Sequence, residues 1–281
     1  MRLGHTRTMR WLIVLCLVGL SGPAFAVPVV EQASGANAAA IQASVDAFRA
    51  DLGGSLNPNV AGSFASGRRE INWDGVPDAL AAPNNLPSNF FNVNSPRGAV
   101  FSTPGTGVQV SGNVGVAPVR FDNINATYSS VFQTFSAQRL FTGVGSNIVD
   151  VNFFVPGSTN PATVSGFGSV FTDVDLANTT SIQYFNANNV SLGTFFAPTA
   201  NNGLSFLGVS GFGDGIARVR ITSGNAALGP TDANGNPTDV VVMDDFVYGE
   251  PKAVVPEPSS MLLLATGVAV FVWIRKKAGV R

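Results

Sequence analysis

From about residue 119 onward, short apolar runs recur every 8–15 residues, each closed off by Gly, Asn, Pro, Asp or Ser. The runs fall at 148–155, 167–171, 181–185, 192–196, 204–209, 217–221 and 240–248. None carries a helical period, and five to nine residues is the length of a strand rather than of an ordinary helix. With 31 glycines to supply turns, this spacing points to a mainly β chain folded as an antiparallel β-sandwich. Asn188-Asn189 sits where a hairpin turn is needed between two of the runs. In Arg218-Val219-Arg220-Ile221 the alternation leaves one face basic and one apolar, as a half-exposed strand requires.

Outside the chain ends, one segment reads as a helix. Over residues 31–53, Ile41, Val45, Phe48 and Leu52 share a face at 3.6-residue periodicity, Ser34 or Asn37 can cap the start, and Gly53-Gly54 stops it. Residues 57–115 are dense in Pro, Gly, Asn and Ser, yet carry Phe90, Phe91 and Phe101, which should fasten these loops to the core. Within them Arg69, Ile71 and Trp73 alternate with Arg68, Glu70 and Asn72, predicting a short strand that ends in an Asp74-Gly75 turn. Trp73 is the candidate sugar contact, because an exposed indole stacks on a pyranose while nearby arginines and carboxylates bond its hydroxyls. The bland alternative is a buried Trp beside surface ion pairs.

Both ends carry targeting features. Arg2, Arg7 and Arg10 precede a ten-residue apolar run, 11–20, and then Ala24-Phe25-Ala26. Basic start, short apolar stretch and small-residue site predict a signal peptide over 1–26, cut after Ala26. At the other end, residues 261–274 are apolar apart from Thr266 and are followed by Arg275-Lys276-Lys277. Fourteen residues of helix span about 21 Å against a hydrocarbon core of about 30 Å, so the basic side chains would have to reach the headgroups to complete a transmembrane helix. The basic cluster would stay cytoplasmic.

The only His and the only Cys, His5 and Cys16, lie within 1–26. A chain trimmed there has no Ser-His-Asp or Cys-His site, no His- or Cys-ligated metal and no disulfide. Residues 27–255 hold 9 basic against 16 acidic side chains, a net charge of −7, which argues against nucleic acid as a partner.

Pro256-Glu257-Pro258, the apolar run and the basic end stand in the order of the PEP-CTERM sorting tail, which the last 27 or so residues resemble. The resemblance implies export, membrane anchoring through the tail, and an exosortase-type processing enzyme as partner. Residues 166–248 more loosely resemble the jelly-roll β-sandwiches of carbohydrate-binding and adhesion modules, whose last strand often bears an Asp at a structural calcium. Here that strand carries Asp244 and Asp245, the candidate calcium ligands; strict alternation would put one on each face. Asp173 and Asp175 are a second acidic pair. The turn Asp232-Ala233-Asn234-Gly235-Asn236 copies part of a calcium loop but lacks its later Gly and Glu. Gly105-Thr106-Gly107 and the 211–215 Gly cluster lack the third Gly and the strand-to-helix setting of a dinucleotide loop.

The expected organisation is a signal peptide (1–26), a helical segment (27–56), a β-sandwich ectodomain (57–250), a linker with the sorting motif (251–260), a transmembrane helix (261–274) and a basic tail (275–281). The expected function is that of an exported, non-enzymatic surface or extracellular-matrix protein. A module binding extracellular polysaccharide is the alternative, and a polysaccharide hydrolase a further one.

Overall fold

The computed structural model describes residues 27–112, 118–212, 215–229, 237–254 and 260–279. The signal peptide expected at 1–26, the signature Pro256-Glu257-Pro258 and the Asp232-to-Asn236 turn lie outside these residues.

Residues 31–35 correct the expected extent of the N-terminal helix: they belong to a strand, β1 (Val29–Gly35), paired antiparallel with β11 (Ala200–Ser210). The helix α1 (Ala38–Asp51) starts only after Asn37, whose side-chain oxygen accepts the Ala40 N–H at 3.3 Å. Ser34 is therefore a strand residue rather than a cap. The apolar face is as the periodicity required: Ile41, Val45, Phe48 and Leu52 are buried on the sheet. Phe48 meets Phe206 with ring centroids 5.7 Å apart. Two glycines make room for it, since a Cβ on Gly168 or Gly208 would lie 2.9 or 2.8 Å from the Phe48 ring.

The strands that follow are β2 (Arg68–Ile71), β3 (Ala99–Ser102), β4 (Gly107–Val110), β5 (Phe141–Val144), β6 (Ile148–Phe153) and β7 (Ala162–Thr163). Then come β8 (Gly166–Val174), β9 (Ser181–Phe185), β10 (Ser191–Phe196), β11, β12 (Arg218–Thr222), β13 (Val242–Gly249) and β14 (Lys252–Ala253). One-turn helices α2 (Phe90–Val93) and α3 (Tyr128–Val131) sit in the loops. Each of the seven strand runs anticipated from sequence is a strand, and β9 and β10 form the hairpin around Asn188-Asn189. Asn189 takes φ 58°, which Asn tolerates in a tight turn.

One sheet runs β1-β11-β8-β13-β5-β4, with β2 also on β13; the other runs β10-β9-β12-β6-β3; β14 pairs with β7. All pairings between these strands are antiparallel. One core cluster draws on both large sheets, from Ile71, Phe171 and Phe246 on one to Phe101, Val151 and Ile182 on the other. A second cluster joins α1 to its sheet, and a third gathers Phe121, Tyr128 and Phe132 around Val240 and Val242. Every described member of the three clusters lies between residues 33 and 248.

Helix α4 (Ser260–Ala278) covers the expected transmembrane segment. Its last turn holds Arg275, Lys276 and Lys277, which confines the apolar part to 14 residues. Among the described residues no helix is long and apolar enough to cross a membrane.

Candidate functional site

Strand β13 is the middle of its sheet, and all eight of its residues are buried. Against β8 its register slips: Met243 faces Phe171, but Phe246 faces Ser169. Three steps on β13 match two on β8, which is a β-bulge. On its opposite edge β13 changes partner at the same place, leaving β5 after Met243 and taking up β2 from Phe246. Asp244 and Asp245 occupy this gap, and both are buried.

The bulge overturns the expected alternation. Instead of one carboxylate per face, the two share a hydrogen bond, and both reach Ser136, at 3.3 Å from Asp244 Oδ1 and 2.6 Å from Asp245 Oδ1. The Phe135 N–H donates to Asp244 Oδ2 at 2.6 Å. Burial raises the pKa of Asp244 far above the ordinary aspartate range, and the charge of Asp245 adds to the effect. Burial also pushes Asp245 up to about 6, against the pull of its bonds from Ser136 and Asp244.

Calcium needs six to eight oxygens that are free to face it. Here the carboxylate oxygens face N–H and O–H donors, and among the described residues no three acidic, His or Cys side chains converge on a point. The pair expected to ligate calcium lies side by side, bonded to the Phe135 N–H, the Ser136 hydroxyl and each other. Asp173 and Asp175 do not share a strand face either. β8 ends at Val174, and Asp173 has φ 67° with its carboxylate on the Asn202 N–H.

Trp73, the expected sugar contact, is only 1% exposed and lies beyond the end of β2. Its ring stacks on Phe141 at 4.1 Å and is edged by Phe91 and Phe246 at 5.4 and 5.0 Å. Both faces are spent on the core, so no sugar can stack there. The neighbouring Arg69 is also fully buried, paired with Glu250 through bonds of 2.6 and 2.8 Å. Its guanidinium further reaches the carbonyls of Pro58, Pro96 and Gly62, tying the 57–67 loop to the end of β13.

That tie shapes a polar cleft of about 630 Å³ over the bulge. Helix α1 contributes Gln42 and Arg49, the 57–59 turn contributes Asn57 and Asn59, and Glu70 and Asn72 come from β2 and the residue after it. Ser136 and Asp245 form its inner wall, with Arg97 at one side. The Glu70 charge is matched in place: Arg49 grips it through Nε and Nη2, both at 2.9 Å, and Arg68 Nε approaches to 2.6 Å. Four side-chain amides, a hydroxyl and two guanidiniums around one concavity suit a ligand rich in hydroxyl groups. Asn57, Asn59, Arg97 and Ser136 sit in irregular segments, and no pattern in their spacing announces that they meet.

No curated protein is detectably similar in sequence. Among solved structures, the enzymatically active domain of bacteriophage CBA120 tailspike protein 4 aligns at 13% identity with a TM-score of 0.27. The alignment covers 62% of this chain and 22% of that one, too distant a likeness to carry an argument. Residues 254–276 match the family model of the PEP-CTERM protein-sorting motif, so the chain ends in such a motif.

Proposed function

We propose that this chain is an exported, non-enzymatic β-sandwich protein, sorted by its tail through an exosortase-type enzyme and displayed at the cell surface or in extracellular matrix. The observation that carries the proposal is where the matched motif begins. It starts at residue 254, the residue after β14, whose N–H still bonds the Pro161 carbonyl at 3.2 Å. The folded body thus ends where the sorting motif starts. Six residue steps separate Val254 from Ser260, so an extended connection reaches about 20 Å. In α4, residues 270–274 are each more than half exposed, an apolar surface all round the helix that suits lipid rather than a protein core. The apolar run falls short of a full span, and Arg275, Lys276 and Lys277 complete it by extending to the headgroups. Successive strands from β8 to β13 cross repeatedly between the two sheets, as jelly-roll connectivity does. Replacing Pro256, Glu257 and Pro258 together with Ala should leave the protein membrane-bound and full length; normal trimming of that variant contradicts the sorting reading.

A second reading, that the body is a carbohydrate-binding module, rests on the amide-lined cleft rather than on Trp73. Glycan binding by the 27–254 body that Asn59→Ala or Asn72→Ala weakens supports it. Binding that survives both substitutions removes the cleft from consideration.

A further inference from the structure

Among the described arginines in and beside the cleft, Arg49 and Arg69 are paired with carboxylates and Arg97 is not. Glu70 has Arg49 and Arg68, and Arg69 has Glu250. None of the ion pairs among the described residues includes Arg97. Its Nε is buried and meets no acceptor, while Nη1 donates to the Ser95 hydroxyl. The guanidinium carbon lies 5.1 Å from the centre of the Phe91 ring, a cation–π contact. Burial disfavours its charge; Tyr248 offsets part of this, and the neighbouring Arg69 adds repulsion. A guanidinium kept in such a place, with a donor left over, is short of an oxyanion.

The rest of the wall defines what else the ligand must carry. Gln42, Asn59 and Asn72 present neutral amides, each able to donate to and accept from a hydroxyl. Asp245 is the inner acid, and with its pKa pushed up to about 6 it opposes an anion less as the pH falls through 6. We infer that the cleft takes an acidic saccharide, with a carboxylate or sulfate of the sugar on Arg97 and its hydroxyls on the amides. This deepens the carbohydrate-binding reading above and rests on it.

The test uses the 27–254 body, which holds every described member of the core clusters, and isothermal titration with three probes: tetragalacturonate, a sulfated carrageenan tetrasaccharide, and neutral cellotetraose. At least one acidic probe should bind more tightly than cellotetraose. Arg97→Gln should weaken that probe tenfold or more while leaving cellotetraose unchanged, and Asn72→Ala should weaken both. Whichever acidic probe responds identifies the anion as carboxylate or sulfate. Should Arg97→Gln disturb folding, as judged by its melting curve, Arg97→Lys replaces it. Lysine keeps the charge but not the planar fork, and an intermediate loss is expected. Binding of cellotetraose as tight as that of the acidic probes, indifferent to Arg97, overturns the inference and leaves the sugar-binding reading standing. Absence of binding by all three probes overturns both.

Discussion

The indole Nε1 of Trp73 donates to the backbone carbonyl of Asp244 at 2.8 Å. The bond fills the gap where β13 has left β5 and has not yet met β2, so the ring supplies the donor that a strand would otherwise provide. Two residues that the sequence offers as separate ligand contacts are one joint of the core. Trp73→Phe should cost about 1–3 kcal/mol, because the Asp244 carbonyl is left without its donor. Trp73→Ala should cost about 3–5 kcal/mol, with the cavity added. Urea unfolding of the 27–254 body measures both, and a Trp73→Phe variant as stable as the wild type would show that the hydrogen bond contributes nothing.

The acidic bulge should make stability depend on pH. Asp245 is raised from the ordinary 3.8 to about 6, so the folded chain keeps a proton that the unfolded chain releases. Its contribution is therefore fully present below about pH 4 and is lost as the pH rises through 6. A shift of about two units corresponds to about 3 kcal/mol. The groups around this acid are Asp244 on β13, Glu70 on β2, Arg49 on α1 and Ser136. Asp245→Asn keeps an oxygen for Ser136 and removes the titration, so its stability should fall less than the wild type's between pH 4 and 7. Parallel pH profiles for the two proteins would contradict this.

The buried pair Arg69–Glu250 predicts a sharp asymmetry between single and double replacement. Glu250→Gln strands a buried guanidinium and should cost about 3–5 kcal/mol. Replacing both residues by Met removes the charges together and should cost less than either single change. A double variant as unstable as the sum of the two singles would mean that they do not act as a pair.

Gly208→Ala should destabilise by about 1–3 kcal/mol through overpacking, since the new methyl would lie 2.8 Å from Phe48 and 2.9 Å from Phe206. Adding Phe48→Leu should recover part of the loss. Thermal melting of both variants decides whether the α1 seat is as tight as this.

What the sequence made legible follows from how local each feature is. The Ile41-Val45-Phe48-Leu52 face and the β8, β9 and β13 runs are written into contiguous residues, and each forms where expected. β1 escaped because Glu31, Gln32 and Ser34 show no strand alternation and precede a helix, and its pairing with β11 spans most of the chain. β4 and β5 are four residues each and rich in Gly and polar side chains, too brief to show a period. The bulge at Asp244-Asp245 is a relation between β13 and β8, which no inspection of β13 alone reveals. The cleft is less local still: Asn57 and Asn59 are in place because Arg69, through Pro58, ties their turn to Glu250.

The central claim is that a folded body is delivered by one end and sorted by the other. Intact mass of the protein recovered from the surface or medium of the producing cells tests it most directly, because one number fixes both termini. The account predicts a chain beginning at Val27 and ending near Pro256-Glu257-Pro258, without α4. A surface species that retains residues 1–26, or that carries the whole tail through Arg281, would contradict it.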